Sequence, residues 1–111
     1  MTWRPPWRWG SCSDGGVSGV GAPGVQEQLV LENDTVRVSL LVFPPGTASG
    51  EHVGVDPELG IVLAGELTLL TPAGREVLGP GAARWLSALV PHDARNEGAV
   101  PLRLWVVTVK R

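Results

Sequence analysis
From Leu29 onward the chain runs in short aliphatic and β-branched stretches, each closed by glycine, proline or an Asn-Asp pair, and helix signals are nearly absent. Strands are predicted at residues 28–32 and 35–43, flanking Asn33-Asp34, because both side chains bond to nearby backbone and favour a tight turn. In the second, Val36, Val38, Leu40 and Val42 alternate with Arg37 and Ser39, which predicts an aliphatic core face and a partly polar opposite face. Pro44-Pro45-Gly46 ends that strand, since proline lacks the donor a ladder needs. Further strands are predicted at residues 51–55, 58–64, 67–71, 75–78, 83–88, 91–96 and 102–110, about nine in all. Gly65-Glu66, Pro72-Ala73-Gly74 and Gly79-Pro80-Gly81 supply turns between them. The expected fold class is all-β, a sandwich or barrel.

At 111 residues, with 43% hydrophobic and 18% charged, the chain suits one compact, well-buried domain. A net charge of -2 leaves no basic surplus to release counterions from phosphates, so no nucleic acid partner is expected. No apolar run approaches bilayer length, since residues 60–64 are closed by Gly65 and Glu66, and no membrane partner is expected either. Arg4 and Arg8 are followed by Gly, Ser and Pro instead of an apolar segment, which argues against a secretory signal. A single cysteine, Cys12, excludes an internal disulfide and a thiolate cluster, and makes the cytoplasm the expected compartment.

Residues 1–26 differ from the rest: Trp3, Trp7 and Trp9 sit among arginine and proline, then a Gly/Ser-rich stretch follows. Two readings are open. The segment is a flexible extension, even one begun at a start codon too far upstream, or its tryptophans dock on the folded domain or on a second subunit. The folded domain is assigned to residues 27–111.

Only two histidines occur, His52 and His92. Gly46 is followed by five residues, then His52, Val53, Gly54, three residues, Glu58, six residues and Gly65. This spacing resembles the first motif of the cupin superfamily, G(X)5HXH(X)3E(X)6G, with Gly54 in the place of its second histidine. The second motif, G(X)5PXG(X)2H(X)3N, is matched at Gly81, Ser87, Leu89, His92 and Asn96, with Ser87 replacing the proline and Leu89 the glycine. The chain is thereby identified as a resembling member of that superfamily, which implies an antiparallel jelly-roll β-barrel in a single domain, and a homodimer.

The resemblance also implies that His52, Glu58 and His92 are metal ligands. Two neutral imidazoles and one carboxylate suit Fe(II) and leave coordination positions open, while Mn, Ni, Zn or Co are further candidates. In an extended segment His52 and position 54 point the same way, so Gly54 leaves a gap beside His52. That gap is either a useful open position or the mark of a decayed site, and Asp56, which shares parity with His52, is a candidate substitute oxygen. Taken singly, His52 would pass for a loop residue, His92 for a turn cap and Asn96 for a turn residue. Arg84 and Arg103 lie on predicted strands and would meet an anionic substrate only if they face inward.

The implied function is a metal-dependent enzyme, dioxygenase- or isomerase-like, acting on a small organic molecule. A non-catalytic module that binds a small ligand, with a degraded metal site, is the alternative. An accessory dimerisation domain is a third.

Overall fold
The computed structural model describes residues 24–110. The extension's tryptophans and Cys12 lie outside the described residues. Among the described residues there are eight strands: β1 (Gln26–Glu32), β2 (Val36–Phe43), β3 (Glu58–Ala64), β4 (Leu67–Thr71), β5 (Gly74–Leu78), β6 (Ala83–Leu86), β7 (Asp93–Arg95) and β8 (Leu102–Val109). They form a five-stranded sheet in the order β1-β2-β8-β3-β6 and a three-stranded sheet in the order β5-β4-β7, with every pairing antiparallel. Leu41, Phe43, Val62, Leu102 and Leu104 of the large sheet pack with Leu67 and Leu69 of the small one, so the two sheets face each other across one core. This is the all-β class expected from the turn-punctuated pattern, in the jelly-roll form that the motif resemblance implies. Among the described residues no helix is long and apolar enough to cross a membrane.

The core takes in Val25, fully buried, just ahead of the boundary expected at residue 27. Asn96 has more than a turn to hold. Its amide donates to the carbonyls of Phe43 and Val100 at 2.8 Å each, and its Oδ1 accepts from Gly98 N at 2.9 Å. A buried side chain thus joins the end of β2 to the turn before β8, satisfying polar groups that water cannot reach.

Two expectations are overturned. The inward face of β2 carries Ser39, Leu41 and Phe43, all buried, whereas Val36, Val38, Leu40 and Val42 form the half-buried outer face. Alternation identifies two faces but does not say which is covered, and here both are rich in apolar atoms. The expected strand at residues 51–55 is absent: within it His52 forms an isolated bridge to His92, and just before it Ala48 forms another to Arg95. Gly50 in the left-handed region (φ +82°) and Pro57 at the far end prevent a continuous ladder.

On the outer face the register aligns one apolar rank across all five strands, Leu31, Val38, Val107, Leu59 and Trp85. Its two ends are strongly exposed, Leu31 at 51% and Trp85 at 47%.

Candidate metal and ligand site
The first histidine sits on the irregular segment after β2 and the second just before β7, and backbone bonds stitch the two stretches together. Gly46 N donates to Asn96 O (2.9 Å), Ser49 N to Ala94 O (2.8 Å) and Leu89 N to Gly54 O (2.8 Å). At the centre His52 and His92 exchange both backbone bonds at 3.0 Å, which makes them a directly opposed pair with side chains on one face. Their rings meet edge to face, centroids 4.2 Å apart and planes at 66°. Leu89, the residue standing where the family motif has glycine, adopts φ +68°. A left-handed residue that carries a Cβ costs roughly 1–2 kcal/mol.

Each imidazole is oriented from behind. His52 Nδ1 lies 2.7 Å from Gly50 O and His92 Nδ1 lies 3.0 Å from Val90 O. A carbonyl only accepts, so Nδ1 carries the proton in both rings and Nε2 has the lone pair, the tautomer a metal ligand needs. Burial pushes His52 down to about 4, helped by the neighbouring His92, and burial also lowers His92. Both rings are neutral at pH 7.

Glu58 opens β3 and comes within 3.9 Å of His92, from its Oε1 to the ring Nε2. Burial raises its carboxyl to about 8, with the negative charges of Glu27 and Asp56 adding to the effect. The contact with His92 is therefore one between neutral groups and not an ion pair. Its Oε2 is buried with no hydrogen-bond partner, a cost that a cation or a ligand donor would remove.

His52, Glu58 and His92 line one cavity of about 40 Å³, whose remaining walls are mainly aliphatic and aromatic, among them Leu41, Phe43, Leu69 and Leu104. As they stand, with the imidazoles in contact, no group of three His, Cys, Asp or Glu side chains among the described residues is assembled around a common point. The donor chemistry fits a divalent ion; coordination requires the rings to turn. Asp56 is not among the cavity-lining residues, and its influence on Glu58 is electrostatic.

One residue left open by the sequence is settled by register. Arg84 pairs with Gly60 on the inner face and lines the cavity, whereas Arg103 faces outward and is exposed. A cluster not foreseen lies on the same inner face beyond Glu58. Glu27 Oε2 accepts from Ser39 Oγ at 2.9 Å and from Arg37 Nη2 at 3.3 Å, and Lys110 Nζ reaches Glu32 at 2.8 Å. Its signal was present in Arg37 and Ser39, assigned to the wrong face.

The cupin domain family model matches residues 39–108. Among solved structures, a cupin domain from Bordetella pertussis is 25% identical, with 80% of this chain and 96% of that chain covered and a TM-score of 0.69. The polyketide cyclase RemF from Streptomyces resistomycificus is 21% identical over 82% of this chain and 68% of its own, with a TM-score of 0.74. A predicted oxalate decarboxylase from Thermotoga maritima is 20% identical over 82% of this chain and 85% of that one, also at 0.74. No curated protein matches the chain by sequence.

Proposed function
Because this chain belongs to the cupin superfamily, we propose that it is a small metal-binding cupin and a metal-dependent enzyme, dioxygenase- or isomerase-like, acting on a small organic molecule. The observation that carries this reading is the convergence of two neutral, pre-oriented imidazoles and a carboxyl with an unpaired buried oxygen on one apolar cavity. His52, Glu58 and His92 would hold the ion, with Fe(II) favoured and Mn, Ni or Zn as further candidates, and a bound ion would supply Lewis acidity or dioxygen activation. The carbonyls of Gly50 and Val90 keep each ring in its ligating tautomer. The surrounding leucines exclude water and strengthen every electrostatic contact inside. The similarity to a polyketide cyclase and to a predicted oxalate decarboxylase supports a small organic substrate.

Elemental analysis of protein purified without an affinity tag tests the reading. Near-stoichiometric Fe, Mn, Ni or Zn is expected, falling at least about tenfold in His92→Ala, since loss of even an outer partner of a metal site costs 10–100-fold in affinity. Metal-free protein that still folds would favour the second reading, a ligand-binding module with a degraded site. Gly54 in the motif position of a histidine favours that alternative.

The same reading takes the protein as a cytoplasmic homodimer. The apolar rank from Leu31 to Trp85 on the outer face supports it, being the kind of contiguous exposed surface that monomers rarely keep. Sedimentation should give a dimer for the wild type and a monomer for Trp85→Glu; a wild-type monomer at micromolar concentration would remove the proposal.

A further inference from the structure
Arg84 and Glu76 stand on the edge strands of different sheets, β6 of the large sheet and β5 of the small one. The guanidinium meets the carboxylate as a fork: Nε donates to Oε1 at 3.0 Å and to Oε2 at 3.1 Å, and Nη2 donates to Oε2 at 2.9 Å. Nη1 donates to the carbonyl of Trp85. Glu76 pairs with the buried Leu69, so it projects on the inner side of its own sheet, and the ion pair closes the seam between the sheets beside the cavity. About a third of each side chain remains exposed, 31% for Arg84 and 35% for Glu76. At that exposure solvent competes for both charges, so the guanidinium can exchange one carboxylate for another.

Three features of the cavity wall point to what would replace Glu76. Among the lining residues, Arg84 is the one with a permanent positive charge, since the two histidines are neutral and Glu58 cannot supply one. Its planar fork matches a carboxylate. Directly across the ladder, its partner on the inner face is Gly60, which has no side chain to fill the floor. Neither backbone nor crowding calls for glycine there. Gly60 is not in the left-handed region, and an added Cβ would meet only ordinary contacts, Leu104 Cδ1 at 3.7 Å and Arg84 O at 3.9 Å. Glycine inside a strand weakens it and often marks close approach by another group.

We propose that the Gly60–Arg84 pair determines ligand specificity: the ligand is a small carboxylate whose anionic group takes the Arg84 guanidinium in place of Glu76, while its body lies over the bare backbone of Gly60 beside His52, Glu58 and His92. This rests on the reading of the cavity as a small-molecule site, and it names the class of molecule. The Glu76 carboxylate holds the place of the ligand when the site is empty. Glu76 is not itself a cavity-lining residue, and a cavity of about 40 Å³ is smaller than an organic acid, so entry requires both that the walls open and that Glu76 leave Arg84.

The test uses isobutyrate and its neutral isostere isobutyramide, titrated calorimetrically into the full chain both stripped of metal and loaded with Co(II). Wild type should bind isobutyrate at least about tenfold more tightly than isobutyramide, and Arg84→Gln should lose that preference. Glu76→Gln, which removes the competing carboxylate, should bind isobutyrate about tenfold more tightly than wild type. A residue serving only to hold the sheets together would not produce that gain. Gly60→Val should block both molecules without lowering the melting temperature. Equal binding of acid and amide by wild type, or no tightening in Glu76→Gln, overturns the proposal. Metal content measured on the same samples separates the two readings. Acid-selective binding in protein that takes up no metal leaves this proposal standing and removes the enzyme reading, whereas metal uptake without acid selectivity does the reverse.

Discussion
Gly65→Ala should lower the melting temperature by about 15 °C or more, the largest stability loss expected from any single methyl group in this barrel. Gly65 forms the turn between β3 and β4 with φ +80°, a region that a Cβ makes unfavourable. An added Cβ would sit 2.4 Å from Pro101 O and 2.9 Å from Leu102 Cα, both backbone atoms. They cannot retreat, because Leu102 is fully buried and pairs with Phe43 on β2. Strained backbone and overpacking against a fixed neighbour each cost about 1–3 kcal/mol. At roughly 4–8 °C per kcal/mol for a domain of this size, the combined loss reaches the stated shift. Gly74→Ala is the control, since Gly74 also has positive φ (+127°) but nothing within 4 Å of its added Cβ. Thermal unfolding of the two variants side by side decides the matter. A Gly65→Ala shift no larger than that of Gly74→Ala would show that the turn relaxes away from Pro101.

Glu58→Gln should act in opposite directions on the metal-free and metal-loaded protein. In the metal-free form the Glu58 carboxyl is raised from 4.5 to about 8. The folded state then holds its proton where the unfolded chain has released it, so stability is full below pH 4.5 and is lost as pH rises toward 8. The accumulated loss is on the order of 4 kcal/mol for so buried a group. Glutamine keeps the shape without the titration, so the metal-free variant should out-melt wild type at pH 8 and match it near pH 4.5. His52 works from the other side. Depressed from 6.5 to about 4, it contributes stability above pH 6.5 that disappears as pH falls through 4. Between pH 4.5 and 6.5 the two slopes offset, so metal-free wild type should decline mainly from pH 6.5 to 8, and Glu58→Gln should keep only the acid limb. With metal the order reverses: removing the carboxylate donor should weaken binding by at least about 100-fold, beyond the effect of outer partners. Melting curves from pH 4 to 9, with and without Co(II), measure both halves. A wild-type curve without decline between pH 5 and 8 would mean that Glu58 is solvated and not a buried acid.

How much of this was visible in the residues themselves follows from the range over which each signal acts. Turns are local. Gly46, Gly65 and Gly81, which occupy glycine positions of the two motifs, all take positive φ, and the six turn-bounded segments from Glu58 to Val109 became strands with small changes at their ends. The histidine and glutamate positions were legible because imidazole is scarce in this chain, with two copies in 111 residues. Residues 51–55 were misjudged because a strand exists only if a neighbour continues its ladder, and the neighbour offered single bridges.

Local chemistry by itself determined an all-β sandwich or barrel, since glycine, proline and alternation act within a few residues of where they occur, and the resemblance of the motif spacing implied the three candidate donors. Which face of β2 looks inward, whether Arg84 or Arg103 reaches the cavity, and how closely the two imidazoles approach were decided only by the tertiary structure. Each depends on which strand lies alongside and in what register, and a shift of one residue would exchange every inner side chain for its outer neighbour.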